Sequence, residues 1–386
     1  MSDPNCTDNT IVIVGGGLSG LVTARELSKT LDAPSDAGLN ATKIVVLEAR
    51  DRFGGRILRE HGVDLGATWT WPSNDTALLK VATECKVPLE EQYVEGSALL
   101  QHSNGRAAHY GRNESPAGGG SMRFRGGPSA IIDKLVDELS ADSRVELQLN
   151  TAVRSVSTSV DGTLDCTIST CNPSTGTQGL PVQAKAVVIA LPLQLVAKSI
   201  SFEPPLPPKQ STLMARTPTW MGNTGKIGFL YKNHFWKELG YSGTVFSEVG
   251  PMAQIWDSCS ADNETAALSS FVFDEALHSL KDPEHALSQD SPVMRQLVQV
   301  FGPQAKTPTK IVWKAWHTDP FTSHHSGDSS VEGDTPLGHP IAHKAHHNII
   351  FSGAESCPYE NGHMNGAVVA ALRAQKEVIS LIRRRL

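Results

Sequence analysis

Cysteine is sparse: Cys6, Cys85, Cys166, Cys171, Cys259 and Cys357 are scattered over 386 residues with no CxxC pair. That spacing excludes the disulfide framework of a small secreted domain and leads us to expect a reducing compartment. No apolar run approaches the roughly 18 residues that a membrane-spanning helix needs. Residues 1–10 are polar and lack the apolar core of a signal peptide. Arg384 is a poor first residue for a C-terminal targeting tripeptide, so a cytoplasmic location is the expectation. Basic blocks are also missing apart from Arg383-Arg384-Arg385, and with a net charge of -6 nucleic acid is not an expected partner. His324, His325, His339, His343, His346 and His347 match no zinc spacing and have no carboxylate placed beside them. They read as a solvated loop, with no metal. No internal repeat is visible.

What remains is an ordinary globular composition, 39% hydrophobic over a length that accommodates two or three domains and a large cofactor. Residues 11–14 are an aliphatic run that ends at Gly15-Gly16-Gly17, and residues 18–31 then carry Leu18, Leu21, Val22 and Leu27 at helical spacing. The Pro, Gly, Asn and Asp of residues 31–43 are loop chemistry, and residues 44–47 are a second buried-strand run ending at Glu48. A βαβ unit is therefore complete within the first fifty residues. Further on, residues 129–139 read as an amphipathic helix, 145–160 and 164–168 as strands, and 186–191 as an aliphatic strand closed by Pro192. Pro204-Pro205-Leu206-Pro207-Pro208 reads as a stiff linker and a domain boundary. Residues 226–231 suggest a strand and 292–301 a helix. Residues 317–347 show little periodicity, and the chain closes with a strand at 349–351 and a helix at 366–383.

Gly15-x-Gly17-x-x-Gly20 between the first strand and helix is the fingerprint of a dinucleotide site. The glycines permit a tight turn, a close backbone approach to pyrophosphate and close helix–strand packing, with phosphate at the helix N-terminus. Glu48 ends the second strand, where a carboxylate accepts ribose hydroxyls. It lies 28 residues beyond Gly20, a long offset that the insertion at 31–43 explains. A carboxylate there favours a free ribose over a 2′-phosphate but does not separate NAD from FAD.

The next segment makes that separation. Glu48-Ala49-Arg50-Asp51-Arg52-Phe53-Gly54-Gly55-Arg56, followed by Asp64-Leu65-Gly66-Ala67-Thr68-Trp69, resembles the EAxDRxGGR string of the flavin amine oxidases. Arg56 offers a bidentate cation for pyrophosphate, and Gly55 lets the backbone pass close by. Similar segments follow in family order: Arg125-Gly126-Gly127; Val153, whose backbone would meet adenine; residues 186–192; and Ser352-Gly353-Ala354-Glu355 with Gly362-His363-Met364-Asn365-Gly366. In that resemblance Glu355 faces the ribityl chain, and the helix opening at Met364 points at the flavin pyrimidine oxygens. It also implies Ser19, Arg50, Gly66, Ala67 and Thr68 as cofactor contacts.

On the catalytic side, Lys226 stands where the family places a lysine that holds a water near flavin N5. Trp316 matches the W-x-x-D-P-[FY] segment, and it can equally pack on the ring system or touch substrate. Trp69 and Trp71 can equally be core. Two departures stand out. Where many members have tyrosines that sandwich the amine, this chain has Ser323-His324-His325-Ser326 and His363. A simple arylalkylamine is therefore not the expected substrate, and His363 becomes a candidate contact for a polar one. The cysteine that monoamine oxidases attach to flavin has no counterpart, since Cys357 lies past Glu355; FAD held without a covalent bond follows.

The resemblance implies an α/β chain: a two-dinucleotide-binding FAD domain, Rossmann-like βαβ plus a three-stranded β crossover, with an inserted mixed α+β substrate domain. The expected limits are 1–73, 122–200 and 345–386 for the first and 74–121 with 201–344 for the second, substrate lying over the flavin between them. The expected activity is oxidation of an amine to an imine, with O2 reoxidising the flavin to give hydrogen peroxide. A C–C desaturase or isomerase on the same fold, or FAD in a structural role, are the alternatives.

Overall fold

The computed structural model describes residues 9–31, 42–159, 165–259, 265–273, 288, 291–323 and 337–384. His324, His325 and Ser326, and most of the 31–43 insertion, lie outside them. The chain divides into two compact units: Met1–Arg56, Ile131–Trp220 and Pro320–Leu386 form one, Ile57–Ala130 and Met221–Asp319 the other. Among the described residues no helix is long and apolar enough to cross a membrane.

The first unit is built on a five-stranded parallel sheet in the order Val145–Gln148, Lys43–Leu47, Thr10–Val14, Ala186–Ile189, Ile349–Phe351. Residues 11–14 and 186–189 of its central strands are aliphatic at every position because a parallel sheet covered on both faces has no solvent side. The helices Leu18–Leu31 and Met364–Arg383 pack against each other. Between the strands 145–148 and 186–189 lie three strands of a four-stranded sheet, Val182–Ala184, Cys166–Cys171 and Ala152–Thr158, and its fourth, Ser201–Glu203, follows residue 189 in the chain. The first three are the expected crossover element, and Ser201–Glu203 adds a parallel fourth. Val12, Val45, Val156, Ile168 and Val187 fill one core between them.

Three readings of the sequence need correction here. The strand read at 145–160 is two strands: Asn150 takes φ 54°, a left-handed turn that asparagine tolerates, and the chain passes there from the parallel sheet to the next. The Pro204–Pro208 linker is not a boundary. Leu206 and Met214 are buried in the first unit's core, and Pro208 opens the helix Pro208–Ala215, where a fixed φ and a missing N–H cost nothing. The chain changes unit instead at Trp220 and Met221. Relative to the expected limits, residues 57–73 and 122–130 also fall in the second unit. Trp69–Thr70 pairs with Met122–Phe124, and Val63 and Leu65 pack on Ala267 and Val312.

The second unit carries a seven-stranded sheet, in order Lys310–Ala315, Thr224–Tyr231, Ala266–Phe273, Met252–Asp257, Tyr241–Ser247, Ser97–Gln101 and Ala107–Arg112. The helix Pro292–Phe301 covers it through Val293, Met294 and Leu297, and Ser291 caps it by accepting the Met294 amide. A small three-stranded sheet, Trp69–Thr70, Met122–Phe124 and Leu89–Glu91, belongs to the same unit.

Candidate active site

In the first unit the turn from strand Thr10–Val14 into helix Leu18–Leu31 is fixed by its neighbours. Gly15 has φ 106°, and a Cβ on Gly20 would stand 1.9 Å from the Gly15 carbonyl oxygen, so the helix can start here only with glycine at both places. Gly17 bridges Gly54, and a Cβ there would meet nothing nearer than Gly55 Cα at 3.9 Å. This is an open cradle beside a helix N-terminus, the geometry that receives a pyrophosphate. It lies where the sheet order reverses around the first strand, the position at which doubly wound sheets take ligands.

Glu48 is buried, and each carboxylate oxygen accepts one backbone amide: Gly16 N at 2.7 Å and Arg50 N at 2.9 Å. Its remaining lone pairs can still accept hydroxyls, so the residue both shapes the glycine turn and can hold a ribose. The backbone of 48–50 is stitched to the next segment, Glu48 N to Gln148 O, Thr151 N to Glu48 O and Asn150 N to Arg50 O, all 2.8 Å, which brings Val153 to the same end of the sheet. Arg50 donates to Thr322 Oγ1 at 2.9 Å and lies 5.4 Å from the Phe321 ring centre.

Arg56 and Glu355, expected at different parts of the cofactor, are also partners of each other. Arg56 Nη1 and Nη2 donate to the two carboxylate oxygens at 2.6 and 3.1 Å. Glu355 is fully buried and requires a countercharge, whereas the Arg56 side chain is 25% exposed and keeps donors for an anion. The same pair grips Trp220, whose amide donates to Glu355 Oε1 at 3.1 Å and whose carbonyl accepts from Arg56 Nη1 at 3.0 Å. The Trp220 ring then packs against His363, centroids 4.8 Å apart and planes tilted by 46°, at the start of the helix Met364–Arg383. Sequence reasoning missed Trp220, which lies in a stretch without periodicity. Ser19 does not point into the cradle: its hydroxyl is turned to Ser352, tying helix to strand. Gly353 abuts the Leu191 carbonyl, leaving no room for a Cβ.

In the second unit Lys226 is buried on the strand Thr224–Tyr231. Two residues along, on the same face, Gly228 lets the Val63–Asp64 strand descend onto the sheet; a Cβ there would stand 2.6 Å from Val63 Cγ1. The turn that follows presents its oxygens to the ammonium: Lys226 Nζ donates to Gly66 O at 2.6 Å, Asp64 O at 3.3 Å and the Thr68 hydroxyl. Trp316 donates its indole N–H to the intervening Leu65 O at 2.9 Å. Thus Gly66 and Thr68 meet Lys226, Ala67 lies between them, and Trp316 is a buried brace of the same turn. The rings of Trp69, Trp256 and Phe271 stand 5.5, 5.2 and 5.2 Å from Nζ. Burial pulls the Lys226 pKa down to about 7, Asp64 opposing and Arg123 adding to the fall.

Within the described residues 337–347 of the histidine-rich stretch, Ala342 is fully buried and burial lowers the His343 pKa, so this part is not a wholly solvated loop. His339 and His346 serve backbone groups, of Ile341 and Pro204. No three His, Cys, Asp or Glu converge on a metal position among the described residues.

A parallel sheet with an open glycine cradle and a buried carboxylate at its second strand is the framework of a dinucleotide-binding oxidoreductase. Comparison with known proteins narrows the class. The family model for flavin-containing amine oxidoreductases matches residues 18–118 and 107–379, and the chain belongs to that family. It is 24% identical to a probable flavin-containing monoamine oxidase A of Dictyostelium discoideum, over 95% of this chain and 97% of that protein. It is 25% identical to amine oxidase B of Canis lupus familiaris, over 96% and 86% of the two chains. Among solved structures, putrescine oxidase bound to putrescine superposes with a TM-score of 0.77 at 21% identity, covering 96% of this chain and 99% of that one. Cyclohexylamine oxidase from Brevibacterium oxydans gives 0.75 at 18% identity, over 97% and 100%. The fold is that of FAD-dependent amine oxidases, and the protein is a flavoenzyme that oxidises amines.

Glu48→Ala removes the acceptor for two turn amides and a carboxylate able to accept ribose hydroxyls, so FAD affinity is expected to fall at least about tenfold, one charge-assisted bond's worth. Acid precipitation followed by flavin assay of supernatant and pellet measures it. Full occupancy of the variant at low added FAD would show that Glu48 is not a cofactor ligand.

Proposed function

We propose that the enzyme is an oxidase of a polar or multifunctional amine, with O2 as electron acceptor and FAD held without a covalent bond. The carrying observation is Lys226: a buried ammonium held by the oxygens of residues 64–68 and walled by three aromatic rings. Bound FAD supplies the hydride acceptor for the C–H bond α to nitrogen and passes the electron pair to O2, giving hydrogen peroxide.

The residues of this chain would do the rest. The cradle at Gly15, Gly17 and Gly20, with Glu48, Arg50, Gly55, Arg56 and Val153, would hold the adenine, ribose and pyrophosphate portions, and Gly353, Glu355 and the helix N-terminus at Met364 the flavin end. Their supports are the open cradle, the acceptor capacity of Glu48 and the exposed edge of Arg56. Lys226, a fixed cation in a site poor in water, would stabilise the negative charge that develops when oxygen accepts electrons. Non-covalent attachment is supported by the lack of any cysteine between Asp319 and Gly353, and the same acid precipitation tests it.

Substrate choice follows from His363. It stands where the resemblance places a tyrosine, and its ring lies against Trp220, whose main chain is clamped at both ends. An imidazole presents two ring nitrogens for hydrogen bonding, and this favours an amine bearing a further polar group. The relatives act on amines as different as putrescine and cyclohexylamine by name, so the family alone does not select among them.

Anaerobic mixing with a panel of amines, polyamines and amino acids should bleach the flavin with at least one of them, and admitting air should restore the colour with one peroxide per turnover. Bleaching without peroxide would point to another acceptor, and no bleaching by any amine would sink the proposal. Lys226→Met keeps the apolar stem, so FAD should still bind while the stopped-flow rate of oxidation by O2 drops about 10²-fold. Since the rate depends on the ammonium, the wild-type rate should decline as pH rises through the lysine pKa, near neutrality. A Lys226→Met variant that reacts with O2 at the wild-type rate removes Lys226 from this role. His363→Phe should weaken the best polar substrate relative to benzylamine; an unchanged preference would make His363 a packing residue.

A further inference from the structure

Behind the Lys226 turn lies a buried charge cluster that the function described so far does not use. Arg123 is central in the small three-stranded sheet, directly opposite Trp69 on one side and Glu90 on the other. Its side chain is 3% exposed; Nη1 donates to Cys259 O at 2.8 Å and Nη2 stands 3.5 Å from Asp64 Oδ2. The other Asp64 oxygen accepts from Arg59 Nη1 at 2.9 Å. A carboxylate that is 1% exposed thus sits between two guanidinium groups. Glycine at 127 makes the room, since a Cβ there would stand 2.3 Å from Asp64 Oδ1.

Charges removed from water are costly, and a hydrophobic replacement of this shape would serve stability as well. The cluster is, however, joined to Lys226 at two points. The carbonyl of Asp64 itself accepts from the ammonium, and Trp69, opposite Arg123, lies over it. We propose that Arg59, Asp64 and Arg123 are positioning residues for Lys226, holding the turn of residues 64–68 against the ammonium and setting, through their opposed charges, how firmly Lys226 keeps its proton. This rests on the reading that Lys226 serves the reaction with oxygen.

The remaining charges around Lys226 are engaged elsewhere. Lys314, opposite it on the next strand, pairs with Asp319 at 2.7 Å. Asp257 is turned to the Trp236 indole and to Lys237, at 2.9 and 3.4 Å. Glu90 lies in the field of Arg123, Arg59 and Arg125, and burial raises its pKa. Among the described residues, Asp64 and Arg123 act on the ammonium in opposite senses, the carboxylate favouring its charge and the guanidinium opposing it.

The sign of each effect separates an electrostatic role from a merely structural one. In the FAD-loaded enzyme labelled with ¹³C,¹⁵N-lysine, the NMR signal lost in Lys226→Met identifies Lys226, and its pH titration gives the midpoint. Asp64→Asn, which deletes the negative charge without changing shape, should move the midpoint to lower pH by about one unit. Arg123→Gln should move it to higher pH by a similar amount, and Arg123→Lys should leave it near wild type. The pH profile of oxidation by O2 should move with each midpoint. Midpoints that stay put, or that move the same way in both charge-deleting variants as general loosening would make them, overturn the proposal. Should Arg123→Gln fail to fold, Arg59→Gln, on the more exposed arginine, should shift the midpoint upward by freeing the Asp64 charge. If the midpoints move in opposite directions but Lys226→Met reacts normally with O2, the reading of Lys226 fails while the coupling stands.

Discussion

An ammonium group taken out of water must have its hydrogen bonds replaced one by one, and the second unit is organised around doing so for Lys226. Three oxygens from residues 64–68 supply the acceptors and three aromatic faces supply the walls. Each requirement propagates outward. The turn must come down onto the sheet, and Gly228 permits it. The turn must stay there, so the Trp316 indole takes the carbonyl between the two that Lys226 uses. The same segment then carries Asp64, whose own burial calls for Arg59 and Arg123. One buried cation thereby accounts for a glycine, a tryptophan and an ion cluster.

The first unit shows a parallel logic with a carboxylate in place of the cation. Glu355 is fully buried, and its partners, Arg56 and the Trp220 amide, come from two other stretches of chain. Anything that binds Arg56 acts on a group that also holds Trp220, and Trp220 is what His363 packs against. Glu355, Trp220 and, through its ring, His363 are thus mechanically connected through one guanidinium.

How much of this was legible in the sequence depended on whether the cause was local. Residues 11–14 and 186–189 are aliphatic throughout and were readable as buried strands, as was the glycine turn between the first of them and its helix. The seven-stranded sheet was mostly not. Its strand Ala266–Phe273 buries Ser269 and Ser270 along with Leu268 and Val272, so neither the alternation of a half-exposed strand nor an unbroken aliphatic run is present. Long-range pairings were beyond reach: Arg56 and Glu355 were each recognisable, but nothing local says that residues 299 positions apart share two hydrogen bonds. Arg123 gave one faint sign, a charged residue within the apolar Met122–Phe124 stretch, whose meaning comes only from Asp64 across the fold.

The order of strands in the parallel sheet has a consequence for how the chain is made. Thr10–Val14 lies in the middle, flanked on one side by Lys43–Leu47 and on the other by Ala186–Ile189, and the strand beyond that is Ile349–Phe351. During synthesis from the N-terminus, the first strand is made with one neighbour soon at hand and waits for the other until about 170 further residues have emerged. The helix that packs on Leu18–Leu31, Met364–Arg383, is made more than about 300 residues later. Until then an aliphatic edge stays open to whatever strand is near, which is the condition under which a nascent chain aggregates or recruits a chaperone. The glycine turn sits at the end of that waiting strand, so its final shape, which needs Leu191 beside Gly15 and Gly353 beside Leu191, is settled only when these three distant segments have met.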